Sequence, residues 1–262
     1  MEYNIKNLKK EIDSARRNNY FGRIESFYKK LPKTECENCG KCCYDPPVCT
    51  FIEFMYAYEF YDIFDNKTKR YILEKALRRY VYSLIDKFSE PCCFLDDRNM
   101  CMIYKRSCLS CKMWGIHSKD QYEINWKLQS EYNKGFQNFY KEKYNIVISD
   151  EKINARLPYC DKVKVIKNSY NILEIDYQKY YQSLLKVESK SLQHAMIKHN
   201  SDWSINEWIV YFTFGMSISE TRIKLIQKLQ SGESDAVDQF INDFNYDIYL
   251  KEDLNNKQNT LE

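Results

Sequence analysis

The stretch Cys36-Glu-Asn-Cys39-Gly40-Lys-Cys42-Cys43 opens the cysteine-rich part of this chain. A Cys-x-x-Cys pair can grip one metal ion because a tight turn between the two residues points both sulfurs in one direction. Gly40 fits such a turn, since glycine adopts positive φ without steric cost. Cys36, Cys39 and Cys42 also form the Cys-x2-Cys-x2-Cys run found around four-iron clusters, whose fourth thiolate comes from elsewhere. The stretch therefore predicts a region folded around a metal centre.

A second group of cysteines occupies positions 92, 93, 101, 108 and 111. The polar residues Asp97–Asn99 favour a turn, so we expect Cys93 and Cys101 on the two arms of a short hairpin, with their thiols close together. Cys108 and Cys111 form another Cys-x-x-Cys pair. The sequence leaves open the roles of three further cysteines, Cys49, Cys92 and Cys160.

The order of these positions resembles the CxxCxxCC cysteine-cluster family, which is described as zinc- or iron-chelating. The likeness covers residues 36–43 and 93–112 and includes the segment Cys-x-Ile103-Tyr104-x-Arg106. Ser107 stands where the family usually has proline. The resemblance implies metal binding by thiolates, and the ligands that it carries over are Cys36, Cys39, Cys42, Cys43, Cys93, Cys101 and Cys111. We add Cys108 to the predicted metal ligands as the partner of Cys111.

The residue types restrict which metal is expected. Sulfur ligands select zinc or iron–sulfur clusters and argue against magnesium or calcium. The Cys-x2-Cys-x2-Cys run favours a [4Fe–4S] cluster. Zinc is the alternative, because the pairs Cys36/Cys39 and Cys108/Cys111 match a zinc-ribbon pattern. More thiols are present than the four that one such centre takes, so two centres, or one centre with buried spectator thiols, both stay open.

Composition and charge narrow the class of protein. The formal net charge is only +3, which gives no reason to expect nucleic-acid binding. The first ten residues lack an apolar run, and the longest apolar stretch, Trp208–Met216, is too short to span a bilayer. We therefore expect a soluble, cytoplasmic protein without a membrane partner. In that reducing compartment, clustered cysteines indicate metal ligands rather than disulfides.

The spacing of apolar residues predicts a mainly α-helical protein in which a central cysteine-rich metal-binding region contains a short hairpin. Glycine and proline number only 6 and 5, so few tight turns are expected. Helical periodicity predicts two helices in residues 3–31 with a break near Asn18–Gly22, two amphipathic helices in the segment 50–89, and a long helix over Lys119–Lys143. Further helices are predicted within Tyr177–His199, Ile205–Phe214, Glu220–Leu229 and Ala236–Phe244.

We divide the chain by these features into four parts. They are N-terminal helices (1–33), a cysteine-cluster metal-binding domain (34–165), a helical C-terminal domain (166–250) and a disordered tail (251–262). The C-terminal helices are expected to bind a protein partner or a peptide substrate.

Two residues beside the cysteines are candidates for a catalytic role. Arg106 can offset the negative charge of thiolates or bind an anionic substrate. His117 can act as an exchangeable ligand or a proton carrier, although a surface histidine at the start of a helix is the simpler interpretation. Three hypotheses follow: an iron–sulfur enzyme or enzyme subunit of unknown substrate, a zinc-stabilised interaction module without catalysis, and, from family analogy alone, a protein-modifying methylase-like enzyme.

Overall fold

The computed structural model describes residues 3–116, 118–166, 174–192 and 203–250. The chain is mainly helical, as predicted. Two short strands, β1 (Thr34–Glu35) and β2 (Lys164–Val165), pair antiparallel. The helices are α1 (Ile5–Arg17), α2 (Tyr20–Tyr28), α3 (Phe51–Tyr61), α4 (Asn66–Tyr82), α5 (Leu109–Lys112), α6 (Lys119–Tyr144), α7 (Asp150–Ile153), α8 (Glu174–Leu192), α9 (Ile205–Phe214), α10 (Ile218–Gln230) and α11 (Ala236–Asp243).

Most predicted helices are confirmed with small changes of boundary. The break between the first two lies at Asn18 and Asn19, where Asn19 takes the left-handed conformation at φ 54°. The long helix ends at Tyr144, one residue beyond its prediction, with Asn145 as a left-handed cap. Position His199, at the end of one predicted helix, and the predicted tail at 251–262 lie outside the described residues.

Helix α3 differs from its prediction, because it is buried on nearly all sides rather than on one face. Helices α1 and α2 cover part of it, and α8 packs against it as well. Phe54 on α3 stacks against Trp208 and Phe212 of α9, with 5.6 Å between ring centroids in each case. The C-terminal part of the chain therefore supplies the apolar cover that the local sequence pattern of α3 does not reveal.

Helix α9 also packs along α4. The hydroxyl groups of Tyr80 and Tyr211 are 3.0 Å apart, and their rings meet edge to face. The segment before α9 is tied to the residues that lead into α3, since the Cys49 N–H donates to the Trp203 carbonyl at 3.0 Å. The predicted C-terminal region thus packs directly on the cysteine-rich region, while the division into domains stays a prediction.

The described helices include none that combines the length and the apolar character needed to cross a membrane.

Candidate metal centre

Cysteines from both groups line one cavity of about 620 Å³. Much of the remaining wall is apolar, with Phe94, Ile103, Leu157 and Ile205 among its residues. Positions far apart in the sequence thus meet at one place in the fold. The cysteines in the wall are Cys36, Cys39, Cys42, Cys43, Cys92, Cys101, Cys108, Cys111 and Cys160.

The first cysteine run forms the expected turn. Asn38 and Gly40 both have positive φ, at 51° and 71°, and the Asn38 N–H donates to Cys36 Sγ at 3.4 Å. A short 3-10 turn, Lys41–Tyr44, follows directly. A Cβ at Gly40 would lie 3.1 Å from Asn99 Oδ1. Glycine at this position therefore allows both the turn and the close approach of the second cysteine group.

The second group begins with the predicted hairpin, which the structure confirms. Leu95 and Cys101 form an antiparallel bridge, and Asn99 occupies the turn with φ 60°. The Cys92 N–H donates to the Cys43 carbonyl at 2.7 Å. This hydrogen bond joins the two cysteine groups through their backbones.

The adjacent residues Cys92 and Cys93 have different environments. Cys92 lies in the cavity wall, whereas Cys93, a predicted ligand, is completely buried in the hydrophobic core and is not part of that wall. Asn206 on α9 contacts both residues: its Oδ1 accepts the Cys93 N–H at 2.8 Å, and its Nδ2 donates to Cys92 Sγ at 3.7 Å. The structure therefore places Cys92 in the cavity wall, although the sequence assigned this residue no role.

The pair Cys108 and Cys111 is held by a carboxylate from α3. The two sulfurs are 3.3 Å apart. Cys108 precedes α5, and the next residue, Leu109, donates its N–H to Glu53 Oε1 at 2.6 Å. Glu53 also forms a capping box with Thr50 at the start of α3. Sequence reasoning missed Glu53, although Thr-x-x-Glu before an apolar run is a recognised signature of a helix start.

Hydrogen bonds between neighbouring thiols make one member of each adjacent pair easier to ionise. A hydrogen bond from the Cys43 thiol lowers the pKa of Cys42 to about 7, and one from Cys93 does the same for Cys92, to about 7. The pKa values of the donors Cys43 and Cys93 rise. Because the thiolate is the form that binds metal, Cys42 and Cys92 are the thiols best prepared to bind first.

Two other cavity thiols, Cys101 and Cys111, have raised pKa values and favour the neutral form in the absence of metal. Burial raises the pKa of Cys101 to about 12. The hydrogen bond with Cys108, followed by burial, raises that of Cys111. A metal ion must therefore displace protons from these residues, which makes binding dependent on pH.

Two cationic side chains of α4 donate hydrogen bonds to backbone carbonyls near the second cysteine group. Lys75 donates to the Leu95 carbonyl, and Arg79, which is 5% exposed, donates to the Glu90 carbonyl. The positive charge of Arg79 contributes to the low pKa of Cys92. Sequence reasoning missed both residues. Their spacing of four places them on one face of α4, but a charged residue in an amphipathic helix is ordinarily a solvent-facing one.

The cations that flank the cysteines in sequence have different environments. Lys41 and Lys112 line the cavity. Burial lowers the pKa of Lys112, and negative charge on the sulfurs of Cys108 and Cys111 would oppose that shift. Within the described chain, neither Lys105 nor Arg106 belongs to the cavity wall.

The catalytic candidate Arg106 packs instead against α3. Its guanidinium lies 4.5 Å from the ring centroid of Tyr56, donates to the Tyr56 carbonyl at 3.2 Å and pairs with Glu59. Through these contacts, Arg106 attaches the segment that leads to Cys108 to helix α3. The other candidate, His117, lies outside the described residues.

The two isolated cysteines are placed differently. Cys49, which precedes the first turn of α3, is 2% exposed and belongs to the hydrophobic core. Cys160 lies in the cavity wall, close to Gly115, at which a Cβ would be 3.4 Å from its sulfur and 2.7 Å from Val163. Gly115 has φ 77°, so glycine both permits this turn and leaves room for the segment that carries Cys160.

The wall provides sulfur donors, but it is not a closed ligand cage. Across the described residues, no three cysteine, histidine, aspartate or glutamate side chains are already grouped tightly enough to hold one ion. The chemistry of the donors fits zinc or an iron–sulfur cluster. Cys42 and Cys92 would be among the residues that hold such a group.

Together, the helical scaffold and the cavity of converging thiols define a cysteine-cluster metal-chelating protein. The family model CxxCxxCC, with the description "Putative zinc- or iron-chelating domain", matches residues 35–134. The resemblance drawn from the motifs is therefore confirmed over this segment. No curated protein and no solved structure matches the chain.

Proposed function

We propose that this protein is an iron–sulfur protein whose cysteine cavity holds a [4Fe–4S] cluster. The observation that carries the proposal is the convergence of thiols from both cysteine groups on a largely apolar cavity of about 620 Å³. Cavities of about 300–1,000 Å³ are typical of sites for cofactors and small molecules. Such a volume favours a cluster of several atoms over one ion in a closed cage of four ligands.

The proposed ligands come from both cysteine groups. Cys42 and Cys92, the thiols with lowered pKa values, supply one ligand from each. The others are drawn from the remaining cysteines of the wall, namely Cys36, Cys39, Cys43, Cys101, Cys108 and Cys111. A bound cluster supplies electron transfer, or an iron that accepts a ligand if it lacks a fourth thiolate.

The size of the cavity also supports a role as an enzyme or enzyme subunit. The wall contains Lys41, Lys112 and Trp114 in addition to the thiols. Charged and aromatic groups of this kind orient a bound molecule. The proposal is that a substrate enters beside the cluster and contacts these three side chains.

Metal analysis of the purified protein tests the proposal. The protein would be purified without oxygen, and its iron, zinc and acid-labile sulfide would be measured, together with X-ray absorption at the iron and zinc edges. We expect iron and sulfide in equal amounts, about four of each per chain. Stoichiometric zinc without iron or sulfide would overturn the proposal.

A second candidate function is a zinc-stabilised interaction module. Two observations favour it: the 3.3 Å separation of the Cys108 and Cys111 sulfurs, and the turn in which Asn38 donates to Cys36 Sγ. Structural zinc contributes on the order of 10 kcal/mol to folding. A chelator should then unfold a protein that contains zinc and shows no redox activity.

The methylase-like hypothesis has its own test. Calorimetric titration with S-adenosylmethionine should give a saturable binding signal if the cavity serves a methyl transfer. Absence of binding by the metal-loaded protein would remove this hypothesis.

A further inference from the structure

Residues 157–163 form a third part of the cavity wall, beside the two cysteine groups. Cys160 lies in the middle of this segment and outside the part of the chain that the family model matches. The Tyr122 hydroxyl on the first turn of α6 donates to the Leu157 carbonyl, and the Tyr122 ring meets that of Tyr159 edge to face, with 5.8 Å between centroids. Helix α6 therefore anchors one end of the segment, and strand β2 follows directly at the other end.

The pairing of β1 with β2 brings Cys160 beside the first cysteine run. The antiparallel register of the two strands continues beyond them to Glu37 and Lys162, whose side chains form an ion pair at 2.5 Å. Two residues further along the same register stand Cys39 and Cys160, and both line the cavity. The hydrogen bond with Glu37 raises the pKa of Lys162, and negative charge on Cys39 adds to that rise. Cys39 therefore lies close to the segment that carries Cys160.

Gly115 lets the same segment approach the second cysteine group. This glycine comes shortly after Cys111 and has φ 77°. A Cβ at position 115 would lie 3.4 Å from Cys160 Sγ and 2.7 Å from Val163 Cγ2. Because such a Cβ would push the segment away, glycine keeps the sulfur of Cys160 next to the chain that leaves the second group. Cys160 therefore lies between the two cysteine groups.

The environment of Cys160 also differs from that of the cysteines in the hydrophobic core. A free cysteine that serves only packing is ordinarily buried as a small apolar residue, and Cys49 and Cys93 are buried in this way. Cys160 is only partly buried and lies in a wall that contains other thiols. Lys162 lines the same wall, and its positive charge would offset the negative charge of thiolates there.

We propose that Cys160 is a ligand of the metal centre and binds it together with Cys39. This inference deepens the proposed function and rests on it only in that a thiolate-bound metal occupies the cavity. The ligands then come from three separate segments of the chain, one of which lies outside the match to the family model. The position of Cys160 between the two cysteine groups carries the assignment.

Thiol labelling of the full-length wild-type protein tests this assignment without any substitution. The metal-loaded protein, and the same protein after treatment with a chelator, would each react with iodoacetamide in the absence of oxygen and be analysed by peptide mass spectrometry. Cys160 and Cys39 should be labelled about tenfold or more slowly in the loaded protein, because a thiolate bound to metal is not free to react. Cys49, which is 2% exposed, should stay unlabelled in both states. Equal labelling of Cys160 with and without metal would overturn the proposal.

A pair of alanine variants gives a second and independent measurement. Cys160→Ala should lose its metal to a competing chelator about tenfold or more easily than the wild type, since even residues that only support a ligand have effects of that size. Cys49→Ala is the matched control, because it removes the same thiol from the core, and it should retain its metal like the wild type. Circular dichroism should show that both variants fold. Retention of metal by Cys160→Ala at the level of the wild type would overturn the proposal.

The same measurements separate this proposal from the nature of the cofactor. Iron, zinc and sulfide would all be counted in each variant, so the comparison of metal retention applies to either metal. A wild type that contains zinc alone would overturn the [4Fe–4S] cluster, and Cys160→Ala would still have to lose that zinc if Cys160 is a ligand.

Discussion

Asn206 connects the C-terminal helix α9 to Cys93, whose backbone N–H it accepts at 2.8 Å. Its amide nitrogen points at the sulfur of Cys92, 3.7 Å away. Asn206 itself is only 1% exposed. One buried side chain, more than a hundred residues away in sequence, therefore binds the backbone of Cys93 and the sulfur of Cys92 at the same time.

Replacing Asn206 with alanine should damage both stability and metal content. The change leaves the Cys93 N–H buried without its acceptor, at a cost of about 1–3 kcal/mol. Urea denaturation at a fixed metal concentration would measure the loss, and metal analysis would show reduced occupancy. The exposed Asn242 on α11 provides the control, and Asn242→Ala should change stability by less than about 0.5 kcal/mol. Equal effects at the two positions would contradict the assigned role of Asn206.

The cysteine pair itself provides a sharper comparison. Cys92→Ala should lose most of the bound metal, because it removes a cavity thiol with a lowered pKa. Cys93→Ala should keep its metal and lose about 1 kcal/mol of stability, as expected for a small buried side chain. Metal-to-protein ratios for the two variants, purified side by side, decide the matter. If Cys93→Ala lost its metal and Cys92→Ala did not, Cys93 would be the ligand.

Glu53 should be among the most sensitive buried residues. Its carboxylate accepts hydrogen bonds from the Tyr28 hydroxyl at 2.7 Å, from Leu109 N–H at 2.6 Å and from Thr50 at 2.9 and 3.0 Å. Glu53→Gln places an amide donor against two of these donors and should cost about 3 kcal/mol.

Tyr28→Phe is the graded comparison, since it removes one hydrogen bond to Glu53 and should cost about 1 kcal/mol. Both values come from urea denaturation curves of the two variants. If Glu53→Gln were as mild as Tyr28→Phe, the carboxylate would not hold the Cys108–Cys111 segment in place.

Glu188 should make stability depend on pH. Its carboxylate on α8 accepts the N–H groups of Phe51 and Ile52 at the start of α3, and burial raises its pKa from 4.5 to about 7. A raised pKa in the folded state gives stability that is complete below pH 4.5 and is lost as the pH rises through 7. The loss should reach about 3 kcal/mol by pH 8.

Glu188→Gln should remove this dependence, because an amide does not titrate. The difference in unfolding free energy between variant and wild type, measured from pH 5 to 8 under identical metal conditions, isolates the effect of this residue. A difference that stays constant over that range would show that Glu188 does not titrate there.

Arg106 should prove to be a structural residue. Arg106→Ala removes its stacking on Tyr56 and its ion pair with Glu59, which together are worth about 1–2 kcal/mol. Metal content should stay at the level of the wild type. Arg106→Lys keeps the charge but not the planar stacking, and should recover part of the loss. If Arg106→Ala lost its metal without losing stability, Arg106 would have a role in metal binding instead.

The sequence predicted those parts of the molecule that depend on local pattern. Helix positions such as Lys119–Tyr144 follow from apolar spacing, and the turn at Asn99 follows from polar turn formers. Spacing also identified the cysteines that line the cavity from the first run. Each of these features is set by residues close together in the chain.

The features that were missed depend on contacts between distant residues. Asn206 on α9 binds the backbone of Cys93, and the burial of α3 on nearly all sides comes from α1, α2, α8 and the aromatic residues of α9. A local pattern cannot show which of two adjacent cysteines a remote helix will cover. Likewise, the inward direction of Arg79 depends on the carbonyl of Glu90, which only the folded loop presents.

Strand β2 and helix α9, which complete the surroundings of the cysteines, come late in the chain. β2 pairs Val165 with Thr34, next to Cys36, and α9 ends at Phe214. When a ribosome has released Cys111, ten of the 11 cysteines have been made but these later supports have not. The nascent chain therefore carries most of its thiols before the segments that cover them have been made.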